Sequence, residues 1–173
     1  NRRSAYYIQH NRGKKSLCVD FSKPDTTALL HDLVKTVDIV VENYGPGVMA
    51  RRQLDYEALS KINPKLIMLS ISAFGRTGPL ADKVGFDLIA QAFSGLMHMT
   101  GEPDGPPQFV SMAIADVNAG VHGFAALGYA LFHRERTGEA LELDVSLLST
   151  AWWAAGTSID IGIEQGKTMR NRM

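Results

Sequence analysis

The pattern of apolar and polar positions changes period repeatedly along the chain. Short apolar runs at residues 38–42 (Asp-Ile-Val-Val-Glu), 66–71 and 141–145 have the length and composition of strands covered on both faces. Residues 16–21, apolar and partly β-branched, predict another strand. Between these runs the spacing turns helical. Pro24 opens a helix carrying Leu29, Leu30, Leu33 and Val37 after the start signal at 22–25, and residues 55–62 predict a second, shorter one. Two longer helices are predicted at 86–97 and 117–136, and an apolar helix begins at Leu147. Glycine and proline punctuate the series at Gly45-Pro46-Gly47, at Gly75, Gly78 and Pro79, and through 101–107. Strand and helix in turn predict an α/β fold, Rossmann-like, with a mainly parallel sheet flanked by helices.

The helix at 117–136 carries Gly120, Gly123 and Gly128, each costing about 1 kcal/mol relative to alanine. Its remaining positions are apolar on nearly every side, with Val121, Phe124, Leu127 and Leu131, so the pattern predicts a buried helix approached closely by a second backbone. Arg134, Arg136 and Gly138 supply its stop.

Composition narrows the function. The chain has 173 residues, 45% of them hydrophobic and 21% charged, which fits one globular domain and excludes a disordered chain. Eighteen basic and 18 acidic side chains give a net charge of zero. That balance argues against nucleic-acid binding, for which Arg2, Arg3, Arg12, Lys14 and Lys15 would be the candidates. The single cysteine, Cys18, excludes a disulfide framework and fits a reducing, cytoplasmic compartment. Placed mid-strand, it is expected to be a small buried hydrophobe. No apolar stretch reaches the roughly 18–20 residues of a membrane helix, and the five histidines lack metal-ligand spacing, so neither a membrane span nor a metal is expected.

Asp116 stands where a loop becomes the Gly-rich helix, the place of an N-cap. A plain cap accounts for it. So does a nucleophile, because free N–H groups and the helix dipole would hold the carboxylate ionised. Asp87, after Gly85-Phe86, begins another helix and allows the same two readings. His122 is either catalytic or a satisfied core histidine, and Trp152 and Trp153 are read as packing surface. Arg51, beside a strand end, is either a phosphate contact or a solvated surface charge.

Eight segments in order then resemble a known family: Asn11-Arg12-Gly13-Lys14-Lys15-Ser16, Val40-Val41-Glu42-Asn43-Tyr44-Gly45-Pro46-Gly47, Asn63-Pro64-Lys65-Leu66-Ile67, Gly75-Arg76-Thr77-Gly78-Pro79, Gly85-Phe86-Asp87-Leu88, Thr100-Gly101-Glu102-Pro103-Asp104-Gly105-Pro106-Pro107, Ala115-Asp116-Val117-Asn118-Ala119-Gly120 and Asp144-Val145-Ser146-Leu147-Leu148. The chain resembles the class III CoA-transferases of the CaiB/BaiF type, which include formyl-CoA and carnitine CoA-transferases and the related α-methylacyl-CoA racemases. The resemblance implies transfer of coenzyme A between carboxylic acids through an aspartyl-CoA intermediate on Asp116, with Asp87 assisting. It implies a CoA site at Asn43, Tyr44, Arg51 and Phe86, with Lys14 and Lys15 beside it. The racemases carry histidine where this chain has Phe86, so transfer is favoured over α-proton exchange.

Members of the family are more than twice this length and form interlocked homodimers. Residues 1–158 are therefore expected to be a partial CoA-binding domain and 159–173 a tail or the start of an inter-domain linker. An exposed sheet edge and a large apolar patch are expected with it. The alternative to an enzyme is a truncated, inactive CoA-binding or oligomerisation module of the same fold.

Overall fold

The computed structural model describes residues 4–166. Helices α1 (Ala5–Asn11) and α2 (Pro24–Val34) precede strand β1 (Ile39–Glu42), and α3 (Val48–Arg51) and α4 (Tyr56–Ile62) lead to β2 (Ile67–Ser72). Then come α5 (Asp87–Phe93), α6 (Leu96–Met99), α7 (Ile114–Thr137), β3 (Glu142–Ser146) and α8 (Leu147–Gln165). Among the described residues the sheet has the order β1-β2-β3, with both pairs parallel. The fold is thus α/β with a parallel sheet between helical layers.

Alternation on β2 divides the core. Met68 packs with Val34, Leu54, Leu59 and Leu66 under α2 and α4, whereas Leu69 turns toward α7. On that second face small side chains let three helices converge. Ala90 of α5, Ala115 and Ala119 of α7, and Leu147 and Ala151 of α8 form one buried cluster, with Ile71 and Val145 of the sheet packed on it.

Several expectations are corrected. Residues 16–21 form no strand: the segment has no ladder partner, and the Asp20 carbonyl instead accepts from the Thr26 hydroxyl and the Lys23 N–H, turning the chain into α2. Cys18 is consequently exposed. The helix predicted at 86–97 breaks at Gly95, whose φ of 83° lies in the left-handed region, giving α5 and α6. Of the three glycines on α7, only Gly123 is at a close approach, since a Cβ there would lie 2.8 Å from Leu69 Cδ2. The opposite side of α7 is open, with Phe124 80% and Val121 61% exposed, so this helix is buried on one side only. Trp152 and Trp153 are exposed as well. Helix α8 continues unbroken through residue 158 to Gln165, and the end of the basic tail, 167–173, lies outside the described residues, as do Arg2 and Arg3.

The glycines give a stability contrast. Gly123→Val should overpack the Leu69 contact and cost about 1–3 kcal/mol in chemical denaturation. Gly128→Ala, where a Cβ meets nothing within 4 Å, should instead gain about 0.5–1 kcal/mol. Equal effects at the two positions would refute this account of the α7 packing.

Candidate functional site

The carboxyl ends of the three strands open onto one cleft of about 440 Å³. Asn43 and Tyr44 follow β1, Ile71, Ser72 and Ala73 close β2, and Leu147 follows β3. Phe86, at the start of α5, and Asp116, in the first turn of α7, complete the lining with Gly120 one turn further on. Asn43 Nδ2 donates to the Ile71 carbonyl at 2.6 Å, which ties the end of β1 to that of β2. Tyr44, Val84 and Phe86 give the rim exposed apolar surface, and Lys83 adds an ammonium.

The residues singled out from sequence separate here. Asn43, Tyr44, Phe86 and Asp116 share the cleft, and Asp87 sits directly behind it. Arg51 folds back so that its guanidinium lies against Gly47. Together with Lys14 and Lys15, exposed on the irregular segment after α1, it lines neither this cleft nor the neighbouring one beneath Tyr44 and Arg76. His122 is half-buried, with Nδ1 on the Asn118 carbonyl and its ring edge-on to Trp153.

Asp116 is not the N-cap of α7. That position belongs to Ala113, in left-handed geometry with φ 48° and ψ 51° and no side-chain acceptor to offer. The acceptor comes from another helix. Asp87 Oδ1 takes the N–H of Ala115 at 2.7 Å and that of Asp116 at 3.2 Å. Donors expected to hold Asp116 ionised are therefore committed to Asp87. The expected direction is corrected accordingly: partial burial first, and the Asp87 charge second, push the Asp116 carboxyl above the ordinary carboxylate range.

Gln91 lies outside the sequence motifs. It is completely buried, its Nε2 donates to Asp87 Oδ2 at 2.5 Å and to the Val110 carbonyl at 2.9 Å, and its Oε1 accepts the Val110 N–H at 2.8 Å. The available signal was its spacing: Asp87 and Gln91 stand four apart on one helix, a pair that meets. Among the described residues no group of three or more His, Cys, Asp or Glu side chains could hold a metal ion, and no helix is long and apolar enough to cross a membrane.

A parallel α/β domain with an aspartate at the head of a helix, backed by a second carboxylate and facing an open cleft, is a scaffold suited to covalent chemistry on an acyl group. The family model for CoA-transferase family III matches residues 1–172, and the chain belongs to that family. It is 46% identical over 148 residues to a succinate–glutarate CoA-transferase of Agrobacterium fabrum, covering 86% of this chain and 37% of the relative. It is 44% identical over 145 residues to an acetyl-CoA:oxalate CoA-transferase of Acetobacter aceti, covering 83% of this chain and 37% of that protein. The crystal structure of a CaiB/BaiF family protein from Brucella suis superposes with a TM-score of 0.88 at 37% identity, over 91% of this chain and 42% of that one. The chain thus spans less than half the length of these relatives.

Proposed function

We propose that this chain carries the nucleophile-bearing part of an enzyme that transfers coenzyme A between carboxylic acids, with Asp116 forming the covalent intermediate. The observation that carries the reading is Asp116 itself: it faces a cleft beside Asn43, Tyr44 and Phe86, and Asp87 holds the backbone around it. A carboxylate of raised basicity is a stronger nucleophile once ionised.

In the proposed sequence, an Asp116 oxygen attacks the donor thioester carbonyl and the C–S bond breaks, with the CoA thiolate leaving with the electron pair. The thiolate then attacks the Asp116 carboxyl carbon of the mixed anhydride, which expels the donor acid as its carboxylate and leaves an aspartyl-CoA thioester. The acceptor carboxylate attacks that same carbon and releases the thiolate. Attack of the thiolate on the acceptor carbonyl gives the product thioester and regenerates the Asp116 carboxylate. No net proton is taken up.

Coenzyme A is therefore a substrate, held in the Asp116 cleft by Asn43, Tyr44 and Phe86. The names of the two transferases above include succinate and glutarate in one and oxalate in the other, and Lys83, ion-paired with Asp82 at 3.3 Å, puts a cation at the Asp116 cleft. Both support a dicarboxylate as acceptor. A homodimer belongs to the same proposal, supported by the exposed apolar side of α7. Mass spectrometry after incubation with succinyl-CoA should reveal an adduct that hydroxylamine removes, that glutarate or oxalate discharges, and that Asp116→Ala does not form. A folded protein that binds CoA without forming the adduct would instead be an inactive binding module.

A further inference from the structure

We propose that Gln91 is a positioning residue for the transfer reaction: its buried carboxamide fixes Asp87 on one side and the segment entering α7 on the other, and so sets where Asp116 stands. The inference rests on the functional reading above, and the observations that carry it are geometric. Gln91 Nε2 has two hydrogens and each has a partner, Asp87 Oδ2 and the Val110 carbonyl, while Oε1 takes the Val110 N–H. This pattern fixes the amide orientation, because a flipped group would face two acceptors with its oxygen. Asp87 spends its second oxygen on the N–H groups of Ala115 and Asp116. A continuous chain of hydrogen bonds therefore runs from Val110 through Gln91 and Asp87 to the backbone of the nucleophile.

The position of this chain within the fold explains why a side chain is needed. Helix α7 starts from Ala113 in left-handed geometry, a conformation in which the Cβ of a non-glycine residue is crowded against the backbone. Alanine also brings no capping oxygen, so the first turn of α7 has neither a relaxed approach nor a local cap. Both deficits are met from α5, by Asp87 at its first residue and Gln91 one turn later. Without the carboxamide, Asp87 could rotate away from α7 and the 108–112 segment would lose its anchor.

The test measures adduct formation in a single turnover with succinyl-CoA, against succinyl-CoA concentration and pH. Gln91→Met keeps the side-chain length and removes the hydrogen bonds. It should slow adduct formation by about 10- to 100-fold, with the half-saturating acyl-CoA concentration unchanged, since the residue is buried away from the cleft. Gln91→Glu should be similarly slow at high pH, where the introduced carboxyl is ionised beside Asp87, but recover relative to the wild type as the pH falls and that carboxyl takes up its proton, because a protonated carboxyl can donate to Asp87 and accept from the Val110 N–H. Wild-type rates in both variants, or parallel losses at every pH with no recovery in Gln91→Glu, would overturn the proposal. Gln91→Glu keeps the test decisive if Gln91→Met fails to fold. If the wild type itself forms no adduct, the functional reading fails. The clamp is then judged by amide hydrogen exchange at Ala115 and Asp116: at least tenfold faster exchange in the Gln91 variants supports it, and unchanged exchange overturns it.

Discussion

Asp116→Asn should raise the unfolding midpoint in denaturant at pH 7, lose that gain near pH 3, and abolish covalent trapping of acyl-CoA. The reason is the environment of the carboxyl, which partial burial and the neighbouring Asp87 charge push toward its protonated form. A carboxyl whose folded-state pKa lies above its unfolded value binds its proton more tightly when folded. Its contribution to stability is therefore fully present at low pH and is lost as the pH rises through the folded value. At pH 7 the ionised Asp116 is a net cost that asparagine does not bear. At pH 3 both side chains are neutral and the two proteins should converge. A variant more stable yet unable to form the adduct is the expected signature of a group placed for chemistry at the expense of folding. Equal midpoints at pH 7, or a destabilised variant, would contradict the placement of Asp116 described above.

Asp87→Ala should act in the opposite sense on stability. It strips the acceptor from two N–H groups of the first turn of α7 and leaves one hydrogen of the fully buried Gln91 carboxamide without a partner. Unsatisfied buried donors cost about 1–3 kcal/mol each, so the melting temperature should fall by several degrees. Adduct formation should slow by roughly tenfold or more, because the backbone under Asp116 is no longer held. Removing the Asp87 charge also removes one of the two causes of the raised Asp116 pKa, so the residual activity should rise at a lower pH than in the wild type. Thermal unfolding and the pH profile of adduct formation check both parts. An unchanged profile would mean that the two carboxyls do not interact.

Much of the scaffold was legible because its signals are local. Residues 38–42, 66–71 and 141–145 became β1, β2 and β3 within about one residue at each end, since continuous apolar runs bounded by turns have few alternatives. The stop of α7 at Gly138, with φ 80° and its N–H on the Arg134 carbonyl, followed from glycine after two arginines. The failures share a cause. Residues 16–21 have strand composition, but a strand exists only beside another strand, and no local pattern reports whether a neighbour is present. The open side of α7 looks the same in sequence as its packed side, because Val121 and Phe124 are as apolar as Leu127.

The site divides in the same way. The sequence by itself determined which residues could do chemistry: Asp116 at the head of a helix, Asp87 at the head of another, and Asn43 and Tyr44 after a strand. It also determined the α/β order that places the carboxyl ends of the strands together. Only the tertiary structure decided how the carboxylates divide their roles. Asp87 caps α7 across 28 residues of sequence, and partial burial, followed by the Asp87 charge, raises Asp116 toward its protonated form. Hydrogen bonding between helices depends on where α5 and α7 meet over the sheet, and that meeting is set by the small residues Ala90, Ala115 and Ala119, whose consequence appears only once the helices pack.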